Sequence, residues 1–370
     1  MAQQSDLETR RDRAAGAVLG CLIGDALGVG PHWYYDLDVL KKEFGWIDGY
    51  VASKPGRYHE GVPPGELSQT GEVAELLLRS LAERGRYDQP DFCGRLSGLL
   101  DTVDGSPYCV VDGRTNYTDV AMRDVWRAIK KEGKQWGQEG VGSWCDTSEG
   151  AIRAVMLAAR YAGSLGDTAR LSMDNVRLTH ADPVVAGQSM SFAILVAALI
   201  QGEPIDADLG MKMRELAKKK EIPVAHAILA EERDVTHEQP PDPTQTMPFP
   251  DALLQLGWVV KAARDPTIQI PPEKVPLLYG LACSIHFLLP AAYYYAAKWE
   301  GEEGHFEKAV LYAINSGGNN MARAALTGAM VGAMVGLSGI PQRFVDGLAR
   351  GTELRRLAEK LAADAFPAAS

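Results

Sequence analysis

Apolar residues recur at three- and four-residue spacing along almost the whole chain, while apolar–polar alternation over five or more positions is hard to find. The pattern predicts helices at 7–27, 72–84, 119–131, 150–162, 183–200, 207–219, 223–232, 250–262, 277–299, 306–315, 321–337 and 353–363. Breakers separate them, among them Pro63-Pro64-Gly65, Gly105-Ser106-Pro107 and a stretch from Gln239 to Pro250 that holds five prolines. The helices after that stretch are as apolar as those before it, so neither half could cover its own apolar faces. The expectation is one all-α domain over residues 8–366 with a proline-rich surface loop near 238–250.

Two apolar segments imitate membrane-directed sequences. Arg10, Arg11 and Arg13 lead into residues 14–24 as in a signal peptide, but Asp25 follows at once. Gly16, Gly20, Gly24 and Gly28 recur at every fourth position there, which suits the close-packed face of a buried helix. Residues 275–297 carry no formal charge and approach spanning length, yet contain His286, Pro290 and four tyrosines, and read as a core helix. No membrane partner is expected.

At 370 residues, 46% apolar and 23% charged, the chain has the makings of a large packed core and not of a disordered protein. Acidic residues outnumber basic ones, 48 to 38, and the longest basic run is Lys218-Lys219-Lys220, the solvated end of a helix; nucleic acid is excluded as a partner. Cys21, Cys93, Cys109, Cys145 and Cys283 are odd in number and never form a C-x-x-C pair, which fits a reducing, cytoplasmic setting and neither a disulfide framework nor a zinc site. An apolar helical surface leaves room for an oligomer.

Five segments could carry chemistry. In the first, Gly24-Asp25-Ala26-Leu27-Gly28 precedes Pro31-His32-Trp33-Tyr34-Tyr35-Asp36. Asp25 needs partners or a polar pocket if buried, and His32 titrates in the right range for a general base, though it could equally be a structural histidine among aromatics. In the second, Arg57-Tyr58-His59-Glu60-Gly61 is followed by Ser68-Gln69-Thr70-Gly71-Glu72, where Ser68 or Thr70 can cap a helix whose start could also face a ligand. In the third, Ser148 and Glu149 within Asp146-Thr147-Ser148-Glu149-Gly150 form a polar turn before a helix, suited to capping or to anion binding. The fourth is Thr179-His180-Ala181-Asp182-Pro183, and His286 is a further histidine that could converge on the same pocket. The fifth, Asn315-Ser316-Gly317-Gly318-Asn319-Asn320-Met321-Ala322-Arg323, suits a backbone lying close to a ligand; Gly328, Gly332 and Gly336 after it suit helix packing.

In this order the segments resemble the ADP-ribosylglycohydrolase family from about Ala14 to Pro341. The resemblance rests on Gly24-Asp25-Ala26-Leu27-Gly28, the Thr179-His180 turn, Thr147 to Arg153 and the frame Asn315 to Ala322. It implies a single large orthogonal helical bundle and a ribosyl or nucleotide-like small-molecule ligand, with Tyr58, Ser68, Gln69, Thr70, Ser148, Glu149, His180, His286, Gly317, Gly318, Asn319 and Asn320 as binding residues.

The departures bear on mechanism. Where active members of the family bind two magnesium ions through a Thr-Asp-Asp run, this chain has Ser68-Gln69-Thr70; where they have Asp-x-Asp-Thr it has Asn319-Asn320-Met321-Ala322; His32 stands at about the place of a glutamate. Magnesium prefers anionic oxygen ligands, so no metal cofactor is expected. The reading favoured is a metal-independent hydrolase of an ADP-ribosyl, nucleoside or related N- or O-glycosidic bond, with His32, Asp25, His59 and Glu60 as its catalytic candidates. The alternatives are a catalytically inactive binding or crystallin-like relative, and a magnesium enzyme with ligands at other positions.

Overall fold

The fold is built on a helix pair joined backbone to backbone. In the computed structural model, which describes residues 2–111, 114–205, 215–216, 218–221 and 251–368, the first helix, α1 (Ala2–Val29), lies against α13 (Asn320–Val335). A Cβ on Gly20 would strike the carbonyl oxygen of Gly328, one on Gly24 that of Ala324, and one on Gly16 that of Gly332. The contact is reciprocal, since a Cβ on Gly328 or Gly332 would strike Gly20 or Gly16. Glycine at every fourth position of α1 thus lets two apolar helices touch without side chains between them.

The other described elements, in chain order, are α2 (Leu37–Phe44), α3 (Gln69–Arg84), α4 (Gln89–Leu100), a hairpin of β1 (Tyr108–Val111) and β2 (Arg114–Tyr117), α5 (Val120–Trp126), α6 (Glu149–Tyr161), α7 (Leu165–Val176), α8 (Pro183–Ile200) and α9 (Asp251–Arg264). They continue with α10 (Pro276–Tyr279), α11 (Ile285–Lys298), α12 (His305–Asn315), α13, α14 (Gln342–Gly347) and α15 (Gly351–Ala365). The architecture is all-α, with the hairpin its one sheet among the described residues. One contiguous core runs from Ala14 to Phe366, taking in α1, α6, α8, α11 and α13. The helix α8 is long and apolar enough to cross a membrane, yet 89% of it is buried inside the protein, as in a core helix.

Most predicted helices agree with these to within a few residues. The exception is the helix predicted at 277–299, which is two: Gly280, at φ +132°, ends α10, and α11 begins at Ile285. The break frees the backbone of residues 281–285 to bond elsewhere, Leu281 O accepting from Asn319 N at 2.7 Å and Ile285 N donating to Asp146 O at 2.7 Å. Hydrophobic periodicity cannot register such a break, because the apolar run is continuous through it. Short or polar elements carried no period long enough to predict: α2, α4, α7 and the hairpin. The predicted helix at 223–232 and the proline-rich loop near 238–250 lie outside the described residues, as does most of the helix predicted at 207–219.

Candidate functional site

The site begins with Asp25 on the glycine-rich face of α1. Its Oδ2 accepts from the Ser68 backbone N–H at 2.8 Å and its Oδ1 from the Ser68 hydroxyl at 2.6 Å. Ser68 Oγ in turn accepts from Gly71 N at 3.2 Å and caps α3. A Cβ at Gly71 would collide with the Asp25 carboxylate. Burial raises the Asp25 carboxyl to about 6 against these bonds to Ser68 and Gly71. Asp25 is therefore occupied in fixing the start of α3, which carries Gln69 and Thr70.

Beyond α1 the chain turns through His32 and Trp33. Trp33 holds φ +62°, a left-handed conformation costly for a bulky residue, kept by antiparallel bonds from Trp33 N to Gly318 O at 3.1 Å and from Gly318 N to Tyr34 O at 2.7 Å. Gly317 and Gly318, at φ +63° and +61°, leave no room for a Cβ against Tyr34 and Leu281, so they serve this turn. Arg323, wholly buried, donates to Ala313 O at 2.9 Å and to Gly317 O and holds the same loop. Asn320 points away from the cavity, its Nδ2 donating to Pro31 O at 3.1 Å and Ile314 O at 3.0 Å, whereas Asn319 caps α13 through Ala322 N and borders the cavity.

His32 Nδ1 and His59 Nε2 lie 2.8 Å apart and share one proton between two buried rings. Burial lowers both, His59 to about 4, and the nearness of His59 lowers His32 further, so the pair is neutral near pH 7. The outer nitrogens, His32 Nε2 and His59 Nδ1, have no hydrogen-bond partner. Over the pair sits an aromatic cover: Trp33 meets Tyr58 and Tyr117 edge-on at 4.6 Å, and Tyr58 stacks on Tyr108 at 5.6 Å.

The opposite wall comes from α5 and α6. Asp119 caps α5, its Oδ1 accepting from Met122 N at 2.9 Å, while its Oδ2 is buried without a partner. Glu149 opens α6, and its Oε2 lies 3.5 Å from His180 Nε2 without a hydrogen bond. Burial first, and the Glu149 charge second, raise Asp119 to about 7. Asp119, Glu149, Thr70, Asn319, His32 and Trp33 enclose a cavity of about 20 Å³, room for little more than a water molecule. A second void of about 10 Å³ shares Thr70, Asp119 and Glu149 and reaches His180. The N-termini of α3, α5, α6 and α13 all open on this place, and their dipoles favour the two carboxylates.

Of the residues expected from sequence, the structure brings His32, His59, Ser68, Gln69, Thr70, Glu149 and Asn319 onto one cavity and His180 onto the adjoining void. Tyr58 joins the aromatic cover. Ser148 is buried with its hydroxyl unpartnered and Asp25 lies behind Ser68; neither borders the cavity. Glu60 is exposed and accepts from Gly56 N at 2.8 Å, outside the cavity, and His286 is half exposed, 3.3 Å from Gln188 Oε1 and 3.8 Å from Asp146. Sequence reasoning missed Asp119, Tyr117, Trp33 and Cys283, all of which border the cavity. In sequence Asp119 is only the first residue of the helix predicted at 119–131, a position that by itself suggests a cap and nothing more.

Fold and cavity define a helical protein whose polar site is assembled from the starts of several helices. A model of the ADP-ribosylglycohydrolase family matches residues 6–369, and the chain belongs to that family. It is 24% identical over 375 residues to crystallin J1A of Tripedalia cystophora, covering 95% of this chain and 96% of that protein. It is 24% identical over 361 residues to the ADP-ribosylarginine hydrolase of Pseudomonas putida, covering 96% and 79% respectively. A solved structure titled an ADP-ribosylglycohydrolase-related protein complex superposes with a TM-score of 0.60 at 21% identity over 97% of this chain and 99% of that one, a likeness of fold.

Proposed function

We propose that the chain hydrolyses an N- or O-glycosidic bond of an ADP-ribosyl, nucleoside or related ribosyl molecule, without a pair of magnesium ions. The observation that carries this reading is the carboxylate pair, the buried Asp119 and the partly buried Glu149, both on one cavity and each with a buried oxygen that has no hydrogen-bond partner. Family membership supports the bond type, and two carboxylates of unlike environment are the usual apparatus for breaking it.

The residues at the family's magnesium positions do not fit that ion. Ser68 Oγ donates to Asp25, Asn319 Oδ1 accepts from Ala322 N, His32 Nδ1 is bonded to His59, and Met321 offers a thioether. None is an anionic oxygen, and magnesium seldom gives up water for less.

In the mechanism this supports, Asp119 gives its proton to the leaving oxygen or nitrogen as the bond to the ribosyl carbon breaks. Water adds to that carbon and releases its proton to Glu149. Exchange with solvent restores both groups. The neutral histidine pair presents either an N–H or a lone pair to the sugar, depending on where its shared proton sits. Because the cavity holds only about 20 Å³, part of its lining has to move to admit a ribosyl group.

The test is turnover of ADP-ribosyl and nucleoside substrates in EDTA, with calorimetric titration of ADP-ribose in magnesium and in EDTA alongside. Rates in EDTA within about twofold of those in magnesium are expected. Turnover that requires magnesium overturns the metal-free reading, and no turnover of any ribosyl substrate overturns the hydrolase.

A further inference from the structure

Arg153, on α6, is wholly buried, a costly place for a charge unless every N–H is used. Its Nε donates to Asn175 Oδ1 at 2.6 Å, and its Nη2 to Asn175 O at 3.0 Å and to the Thr179 hydroxyl oxygen at 2.7 Å. The first two staple the end of α7. The third goes to the residue before His180.

A threonine hydroxyl has one proton to give. With Arg153 donating into Thr179 Oγ1, that proton can go to His180 Nδ1, 2.9 Å away, or to Val176 O, 3.5 Å away. Val176 O already accepts from Thr179 N at 3.0 Å and His180 N at 2.9 Å. Val176 O also takes Arg153 Nη2 at 3.4 Å, which leaves Nδ1 the better acceptor, and a neutral imidazole that accepts at Nδ1 carries its own proton on Nε2. Nε2 faces Glu149 Oε2 at 3.5 Å and Thr147 Oγ1 at 3.4 Å. The other tautomer would turn a lone pair toward a carboxylate. Gly150 packs beside the ring: a Cβ there would press on Val176 at 2.9 Å and touch His180 Nδ1 at 3.4 Å.

We propose that Arg153 and Thr179 are positioning residues: through the Thr179 hydroxyl they hold His180 in its Nε2–H form, which turns a ring N–H and not a lone pair toward Glu149 Oε2 and Thr147 Oγ1 at the edge of the site. This rests on the reading of Glu149 as the anionic partner in hydrolysis. It assigns the buried guanidinium a role in the site as well as in packing.

The experiment is nitrogen NMR of histidine-labelled, ligand-free protein, with the His180 resonances assigned by loss in His180→Gln. In the wild type, Nε2 should appear protonated and Nδ1 bare. Thr179→Val keeps the shape and removes the donor. It is expected to populate the Nδ1–H form and to lower kcat at least about tenfold with KM within about twofold, while Thr179→Ser restores both. Arg153→Met could simply unfold the end of α7, so the threonine variants decide. A wild-type His180 protonated on Nδ1 overturns the proposal. So does a Thr179→Val protein that loses turnover with its tautomer unchanged, or that changes tautomer at full kcat. The tautomer measurement needs no substrate, so it can fail with the hydrolase reading intact and can stand if that reading falls.

Discussion

Asp119→Asn is expected to lower kcat by roughly 1,000-fold while making the protein more stable at neutral and alkaline pH. The two effects have one cause. The Asp119 carboxyl is pushed up from its ordinary value of 3.8 to about 7 in the folded chain, first by burial and then by Glu149, with Met122 N, His180 and Arg123 opposing. A carboxyl raised on folding binds its proton more tightly in the native state, so the native state loses stability as pH climbs from about 4 through about 7. Asparagine has no charge to bury and still caps α5 at Met122 N, so the variant escapes that loss. Urea denaturation should show the variant gaining over the wild type above pH 7, by an amount on the order of 1–4 kcal/mol, and converging with it below pH 4. In the wild type, kcat should fall above pH 7, as the acid loses its proton. A variant both inactive and less stable at pH 8 would mean that Asp119 serves the fold alone.

Gly20→Leu is expected to remove the folded state. A side chain there has to displace the backbone of α13, since its Cβ would strike Gly328 O. The loss should reach about 5 kcal/mol or more, comparable to the whole stability of many domains, and appear as insoluble protein or as absent cooperative unfolding. The contrast is Gly94 on α4, where a Cβ meets nothing within 4 Å; Gly94→Ala should raise stability by about 0.5–1 kcal/mol. Equal behaviour of the two substitutions in a denaturation series would refute the packing argument.

The helical class, the glycine face of α1 and the cap at Ser68 were legible in the sequence because each is a local matter. Periodicity of 3.6, small residues one turn apart and a hydroxyl at a helix start act within a few residues of each other. The same holds for Thr179-His180 and for the polar turn before α6, which local composition marks as unusual. Local chemistry also overreached. Asp25 and Glu60 were legible as carboxylates near histidines, but one is committed to Ser68 and the other lies outside the cavity.

What the tertiary structure alone decided is which charges meet. Asp119 and Glu149 stand 30 positions apart in sequence, on the starts of two different helices, and only their approach across one cavity makes the second raise the first. The histidine pair depends likewise on His32 and His59 being brought together from separate loops, and the tautomer of His180 on a guanidinium from α6. Local pattern determines helices, since their bonds close within four residues. Proton affinity depends on burial and on neighbouring charge, and both are set by contacts between elements distant in the chain.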